Sequence, residues 1–232
     1  MYIPHANEEK RIPVLHQLIH DEPLAALVTL TSTGLVATHL PMVLESTPDT
    51  FGILRGHVSR ANPQWRDLNP AVAALAIFSG PQHYITPTWY PGTYEHGKEV
   101  PTWNYVVVHA YGPLQIIDDE HWLRAHLEQL TAQSETNPAQ SEANRAHSEA
   151  NRAHSETGVP AAPWKLSDAP ADFIRTMLNG IVGFELPIHR LEGKWKVSQN
   201  RTASEKQGVI AGLTALDTPA SLTMKNLVAE RS

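Results

Sequence analysis

The chain has 232 residues, of which 41% are hydrophobic and 18% are charged, a balance that suits a folded protein with a sizeable core. Lys and Arg total 18 against 24 Asp and Glu, so the formal net charge of −6 argues against a protein that coats polyanions. Cysteine is absent, which excludes disulfides, thiolate nucleophiles and Cys-ligated metal clusters. No apolar run approaches the ~20 residues of a membrane helix, and we expect a soluble cytoplasmic protein with no membrane partner.

The first half of the chain predicts one helix followed by short strands. Apolar residues at helical spacing predict a helix that begins near Arg11 and ends before Pro23. Turn-rich segments then separate runs of apolar and β-branched residues, and a short helix is expected at 62–68. The expected strands are 24–31, 35–45, 50–58, 72–78, 83–89 and 105–117.

The second half is mainly helical, with one further strand at 181–191. The expected helices are 118–130, 172–178, 202–214 and 219–230. Short, turn-punctuated strands of this number are typical of a small antiparallel barrel. The sequence therefore predicts an α+β protein, mainly an antiparallel six-stranded split β-barrel with peripheral helices, as a single domain over 1–232 with a C-terminal helical extension.

An exact seven-residue repeat lies in the segment 141–156, within a predicted surface insertion at 134–160. Its period equals that of a coiled coil, but its only apolar residues are alanines, whereas coiled-coil seams need bulky side chains. We therefore interpret it as a duplicated, solvated insertion.

Three polar and aromatic segments are candidates for binding chemistry. The segment 56–63 places a hydroxyl, a guanidinium and an imidazole at a strand-to-helix junction, a combination that suits a phosphate group, although simple helix capping is an equal alternative. The segments 84–90 and 100–105 concentrate Trp and Tyr, which suit a flat heteroaromatic ligand or an ordinary packed cluster. The segment 194–201 offers cations and amides, or a solvated turn.

These segments carry a family resemblance. The stretches MYIP at the start, THLPM at 38–42, GHVSRANPQW at 56–65, YITPTWY, VPTWNY and KWKVSQNR at 194–201 resemble the PaiB-like family of FMN-binding negative transcriptional regulators. The resemblance extends to GVIAGL at 208–213 and covers nearly the whole chain except the repeat. It implies the flavin-binding split-barrel fold, FMN as cofactor, and a homodimer with FMN at the subunit interface.

The resemblance also implies a set of cofactor-binding residues, although it assigns no catalytic residue and no metal ligand. Ser59 and Arg60 become phosphate ligands. The other candidates are His57 and Asn62 near the phosphate, Thr38 and His39 beside the ring, Trp103, Asn104 and Tyr105 closing it from a loop, and Lys196 and Gln199 from the segment 194–201.

Two questions stay open at the level of sequence. Direct DNA binding rests on clustered Lys and Arg, and this acidic chain offers only a modest cluster at 194–201, so regulation through flavin chemistry or a partner is an alternative. Related split barrels include flavin reductases and haem-degrading proteins, so a flavin- or haem-dependent oxidoreductase competes with a regulator, and a passive flavin-binding module is a third possibility.

Overall fold

The structure is a computed structural model that describes residues 1–48, 50–136 and 163–231. Its α-helices are α1 (Ile12–Asp21), α2 (Pro91–Glu95), α3 (Glu120–Thr136), α4 (Ala171–Asn179), α5 (Ala203–Leu216) and α6 (Pro219–Ala229). Its strands are β1 (Glu8–Glu9), β2 (Leu24–Thr31), β3 (Gly34–Pro41), β4 (Val43–Glu45), β5 (Ile53–Ser59), β6 (Ala74–Ile85), β7 (Thr102–Gly112), β8 (Gln115–Ile117), β9 (Ile181–Pro187) and β10 (Arg190–Lys196).

The chain divides into two compact units, each assembled from separate stretches of sequence. The first unit comprises Met1–Leu18, Ile77–Ala110 and Leu191–Ser232, and the second comprises Ile19–Ala76 and Tyr111–Arg190. Strands β6, β7 and β10 have most of their residues in the first unit, whereas β2 to β5, β8 and β9 lie in the second. Each unit is described by itself below.

In the first unit the strands follow the order β1-β10-β7-β6. Side chains of β7 alternate strictly, so that Val106, Val108 and Ala110 are buried while the opposite face is more open. Helix α1 packs against the sheet where glycines leave room for it. The Leu18 side chain lies 2.6 Å from where a Cβ of Gly80 would be, so only glycine permits this approach.

The C-terminal helices of the first unit begin with side-chain caps. Thr202 and Glu205 form a reciprocal capping box at the start of α5, and Thr218 and Ser221 do the same for α6. Helix α5 also makes an unusually close approach to Trp89, through Gly208 and Gly212. The helix is therefore fixed both at its first turn and along one side.

A buried carboxylate ties the start of the chain to its last helix. Glu9 is only 4% exposed and accepts hydrogen bonds from Arg11, at 2.7 Å from Nη2 to Oε2, and from Arg231. The hydrogen bonds from Arg11 make the largest contribution to lowering the pKa of Glu9 to about 2. Glu9 is therefore ionised throughout the neutral range, and its single negative charge is shared between the two guanidinium groups.

The second unit contains the β2–β3 hairpin and a four-stranded sheet in the order β4-β5-β9-β8. The hairpin pairs Leu24 with Pro41 and ends where Thr31 pairs with Gly34. In the sheet, β5 pairs antiparallel with β9 over seven residues, so that His57 lies opposite Gly183. Helices α3 and α4 pack around an apolar cluster, which contains Leu123, Leu166, Ile174 and Leu178.

The α+β class is confirmed, and most predicted elements exist at the expected places. Strand β2 has the predicted bounds, and α1, α4, α5 and α6 differ from prediction by one or two residues, whereas α3 ends six residues beyond its predicted end. The six-stranded split-barrel detail is not confirmed, since the described residues contain ten strands and no closed barrel is found among them. The repeat at 141–156 lies outside the described residues, and the single-domain assignment stays a prediction.

Several predicted boundaries were also wrong, including those of the strand at 105–117, which is divided between β7 and β8. The break expected between the strands 72–78 and 83–89 is absent, because β6 runs through Ser79, Gly80 and Pro81 to Ile85. The strand predicted at 35–45 is divided between β3 and β4, and the one at 181–191 is divided between β9 and β10. Within the described ranges, no helix is long and apolar enough to cross a membrane.

Candidate functional site

The segment 56–65 of the second unit leaves β5 and turns into a single 3-10 turn at Pro63–Trp65. Asn62 caps this turn, because its Oδ1 accepts a hydrogen bond from the Gln64 amide at 2.9 Å. The other end of the same side chain donates to Thr38 Oγ1 at 3.0 Å. Asn62 therefore connects the turn to strand β3 through both ends of its side-chain amide.

The buried side chain of Gln64 anchors the same turn. It is 2% exposed, accepts a hydrogen bond from Thr38 Oγ1, and donates to Leu27 O at 3.2 Å and Thr29 Oγ1 at 3.0 Å. These bonds satisfy a buried amide and hold the segment 56–65 on the β2–β3 hairpin. Thr38 was predicted to lie beside a ring, and its hydroxyl donates its proton within this hydrogen-bond network.

Arg60 is engaged in four hydrogen bonds. Its Nη1 donates to Asp118 Oδ2 at 2.8 Å and its Nη2 donates to the other oxygen of the same carboxylate. Its Nε donates to Asn179 O at 2.9 Å and Nη2 also donates to Ile181 O at 3.0 Å. The hydrogen bonds from Arg60 lower the pKa of Asp118. A phosphate at Arg60 would therefore meet a guanidinium that already has an anionic partner.

Ser59 and His39 are the more open polar side chains of this part of the second unit. Both are exposed, and Ser59 Oγ accepts a hydrogen bond from the Ala61 amide at 3.3 Å while keeping its own proton available. His39 lies on β3 opposite Ala26. Of the residues predicted here, these two offer atoms to a ligand without breaking an existing network.

His57 does not lie beside Arg60 but forms a pair with His126 of α3. His57 Nδ1 is 3.1 Å from His126 Nε2, and the His126 ring stacks on Trp122 with centroids 5.2 Å apart. Burial lowers the pKa of both imidazoles, that of His126 to about 4. His126 Nδ1 is buried without a hydrogen-bond partner in the described residues. Both rings are thus held neutral at neutral pH.

In the first unit, Trp103 and Tyr84 form an exposed aromatic pair. Their ring centroids are 5.9 Å apart in an edge-to-face arrangement, and the Trp103 side chain is 52% exposed. Lys196 lies beside them, since its Nζ donates to Trp103 O at 2.7 Å and to Thr102 Oγ1. Burial lowers the pKa of Lys196. This arrangement offers an aromatic surface with a cation at its edge.

A groove of about 460 Å³ opens along the same unit and includes Tyr105. The ammonium of Lys194 lies 5.3 Å from the ring centroid of Tyr105 and 6.0 Å from that of Tyr2. The other lining residues are Met1, Ser79, Gly80, Gln82, Val106, Val107 and His109. The groove therefore combines two aromatic rings with a positive charge between them.

Asn104 and Gln199 point into the protein instead. Asn104 is 1% exposed and its Nδ2 donates to Ser198 Oγ at 2.9 Å. Gln199 Oε1 accepts from the Val197 amide at 2.8 Å, and its Nε2 donates to Trp195 O. Ser198 has a φ of +65°, a left-handed conformation that is uncommon outside glycine. Both predicted residues therefore stabilise the turn after β10.

We expect the Asn104→Leu variant to be destabilised by about 1–3 kcal/mol, because it leaves the buried Ser198 hydroxyl unpaired. Replacing both partners, in Asn104→Leu with Ser198→Ala, removes the unpaired group and should cost less than the sum of the single changes. Urea unfolding of the three variants measures this difference. Strictly additive losses would contradict the pairing.

The predicted residues thus separate by role. Ser59, His39, Trp103, Tyr105 and Lys196 offer exposed or half-exposed groups, whereas Thr38, Asn62, Asn104 and Gln199 are used within the fold. In the first unit the open groups are aromatic rings and an ammonium, which suit a flat ring, and in the second unit they are a hydroxyl and an imidazole, which suit an anion. Sequence reasoning missed Asp118 and His126, and it did not single out Gln64 and Lys194 within the segments that it named. No group of three or more metal-ligating side chains is found in the ranges described.

Comparison with known proteins places these features in a family. Residues 1–190 match the family described as "Putative FMN-binding domain". An uncharacterized protein of Emericella nidulans is 34% identical, with 100% of this chain and 97% of that protein covered. The Bacillus subtilis protein named "Protease synthase and sporulation protein PAI 2" is 28% identical, over 100% of this chain and 98% of its own length.

Solved structures share the fold at low sequence identity. The FAD and heme binding protein from Mycobacterium smegmatis superposes with a TM-score of 0.50 at 15% identity, covering 82% of this chain and 73% of that one. A conserved hypothetical protein from Mycobacterium tuberculosis gives a TM-score of 0.51 at 10% identity, covering 84% and 91%. Since the family match spans 190 of the 232 residues, the chain belongs to the Putative FMN-binding domain family, and its resemblance to PaiB-like proteins is confirmed.

Proposed function

We propose that the protein binds a flavin, specifically FMN. The observation that carries the proposal is the open aromatic surface of the first unit, where Trp103 and Tyr84 meet beside the Lys196 ammonium. A flat isoalloxazine ring gains from stacking or edge contacts with such rings, and its tail carries negative charge that cations attract. The family description names FMN, and a flavin also appears in the name of the Mycobacterium smegmatis protein.

We assign ligand-binding residues within each unit separately. In the first unit we assign Trp103 and Tyr105 to contacts with a ring, with Lys196 at the edge. In the second unit we assign Ser59 and Arg60 to the phosphate, since Ser59 is exposed and Arg60 carries a permanent charge. The split-barrel arrangement and the homodimer remain parts of the proposal.

We propose that any regulatory role is indirect. The relative from Bacillus subtilis is named for protease synthase and sporulation, but this chain has a net charge of −6, whereas DNA binding draws on neutralisation of phosphates by Lys and Arg. When bound, a flavin supplies redox chemistry of its own. A change in the state of that cofactor could then alter the protein surface without an operator contact.

The proposal is tested on the purified full-length chain by its visible absorption spectrum and by titration with FMN, followed through flavin fluorescence. We expect a flavin spectrum or saturable quenching, and weaker binding in the Trp103→Ala variant. The Trp164→Ala variant is a matched control, because Trp164 is also exposed, at 45%, but lies in the second unit beside α3. A colourless protein that leaves FMN fluorescence unchanged would refute flavin binding.

Further measurements on the same sample separate the remaining alternatives. Bleaching of the flavin by NADH would favour an oxidoreductase over a regulator, and a Soret band would indicate haem. Light scattering reports whether the protein is a homodimer. A gel-shift series at increasing salt tests direct DNA binding, for which we expect no complex even at low ionic strength.

A further inference from the structure

The guanidinium of Arg60 has almost no hydrogen-bonding capacity left. A guanidinium carries five N–H donors, and within the described residues four of them have acceptors. Two bind the two oxygens of Asp118, and the other two bind the backbone carbonyls of Asn179 and Ile181. One N–H on Nη1 therefore remains for any other anion.

We propose that the Asp118 carboxylate competes with the ligand phosphate for the Arg60 guanidinium. Asp118 thereby limits how much more tightly the protein binds phosphorylated than unphosphorylated flavin. The inference rests on the proposed function, in which Arg60 binds a phosphate. The Asp118 carboxylate accepts hydrogen bonds from both Nη atoms of the guanidinium, in the bidentate geometry that a phosphate also uses. A phosphate gains full access only when this carboxylate leaves.

The two backbone contacts make such an exchange possible without loss of the Arg60 position. Asn179 O and Ile181 O hold Nε and one N–H of Nη2, so the guanidinium stays in place when Asp118 moves away. The two N–H donors released by Asp118 then face the phosphate. The guanidinium is thus preorganised for an anion, and the carboxylate fills that place in its absence.

The position of Asp118 suits a displaceable group. Its side chain is 55% exposed, and it lies between β8 and the start of α3, so it can turn into water at little cost. A phosphate monoester carries up to two negative charges against the single charge of a carboxylate, and this favours the exchange. Asp118 therefore weakens phosphate binding without preventing it.

The test compares the dissociation constants of FMN and riboflavin, which lacks the phosphate, for the full-length chain and its variants. In Asp118→Asn the competing charge is removed, and we expect FMN to bind about two- to fivefold more tightly, as an exposed ion pair permits, with riboflavin unchanged. In an Arg60→Gln background, Asp118→Asn should have no effect on FMN. Asp118→Ser serves as a second variant, and thermal unfolding confirms that each variant is folded.

Asp119→Asn is the matched control. It removes one negative charge from the neighbouring residue, whose Oδ1 caps α3 by accepting from the Trp122 amide at 2.7 Å, a role that asparagine also fills. We expect it to leave both affinities unchanged. Equal FMN affinities in wild type, Asp118→Asn and Asp118→Ser would overturn the inference while flavin binding stands. Failure of the wild type to bind either flavin would overturn the proposed function and the inference with it.

Discussion

The Gly208→Ala variant is expected to be less stable than wild type by about 1–3 kcal/mol, although the same change in an ordinary helix interior stabilises by up to about 1 kcal/mol. A Cβ on Gly208 would lie 1.9 Å from the backbone oxygen of Trp89, a distance that no side-chain rotation can relieve. Helix α5 or the 3-10 turn at Pro87–Trp89 would have to move. Chemical unfolding measures the change in the free energy of unfolding, and the sign of this change tests the prediction.

Gly212, one helical turn further along α5, provides an internal comparison. Its Cβ would lie 2.3 Å from the ring of Trp89 rather than from backbone, so Gly212→Ala should be destabilising in wild type but neutral or stabilising after Trp89→Ala. Gly208→Ala should stay destabilising in both backgrounds, because the carbonyl remains. Ala211→Leu, at an exposed position between them, is the control and should change stability by less than about 0.5 kcal/mol. A stabilising Gly208→Ala would contradict this packing.

Strand β2 and Gly80 show which structural features local sequence patterns predict and which they do not. Strand β2 was predicted to the residue, because its apolar and β-branched residues, the preceding Pro23 and the turn that follows are all local signals. The break predicted at Gly80 was wrong, since that glycine makes room for Leu18, a residue far away in sequence. A glycine required by a distant side chain looks the same in the sequence as a glycine that ends a strand.

The candidate site was predictable to a similar degree. The segments around Arg60 and Trp103 were recognisable from residue type and from family resemblance, and both contain exposed polar or aromatic groups. The sequence could not show that Asn104 is committed to Ser198, 94 positions later, or that Arg60 is bound to Asp118, 58 positions later. Pairings of this kind depend on strand register and helix placement, so they decide which predicted ligands are free.

A pH-dependent loss of stability is the second large effect that we expect. Folding removes His126 from water, so the folded protein keeps this imidazole neutral down to a pKa of about 4, whereas the unfolded chain binds a proton near 6.5. Stability is therefore complete above pH 6.5 and falls as the pH is lowered toward 4. The difference in pKa corresponds to about 3 kcal/mol over this interval. Urea unfolding at a series of pH values measures it.

The surroundings of His126 explain why the folded state resists protonation. Besides burial, the neighbouring His57 and the guanidinium of Arg55 both lower the pKa of His126. The Glu185 carboxylate accepts hydrogen bonds from Arg55 at 2.9 Å and from the Trp122 indole at 3.1 Å, so the negative charge of Glu185 is already shared. Arg55 also forms an ion pair with Glu45 at 2.6 Å, so both carboxylates that contact its guanidinium in the described residues are already paired with it. Proton uptake by His126 must separate α3 from β5 or leave a buried imidazolium close to the positive charge of Arg55.

The His126→Gln variant isolates this contribution, since an amide can still hydrogen-bond to His57 but does not titrate. We expect it to be less stable than wild type at neutral pH, yet to lose less stability between pH 6.5 and 4. His121→Gln, at an exposed position of the same helix, is the matched control and should keep the wild-type pH profile. If the His126→Gln and wild-type profiles ran parallel, the acid sensitivity would have to arise elsewhere. A flatter profile would instead identify the His57–His126 pair as the group that limits stability in mild acid.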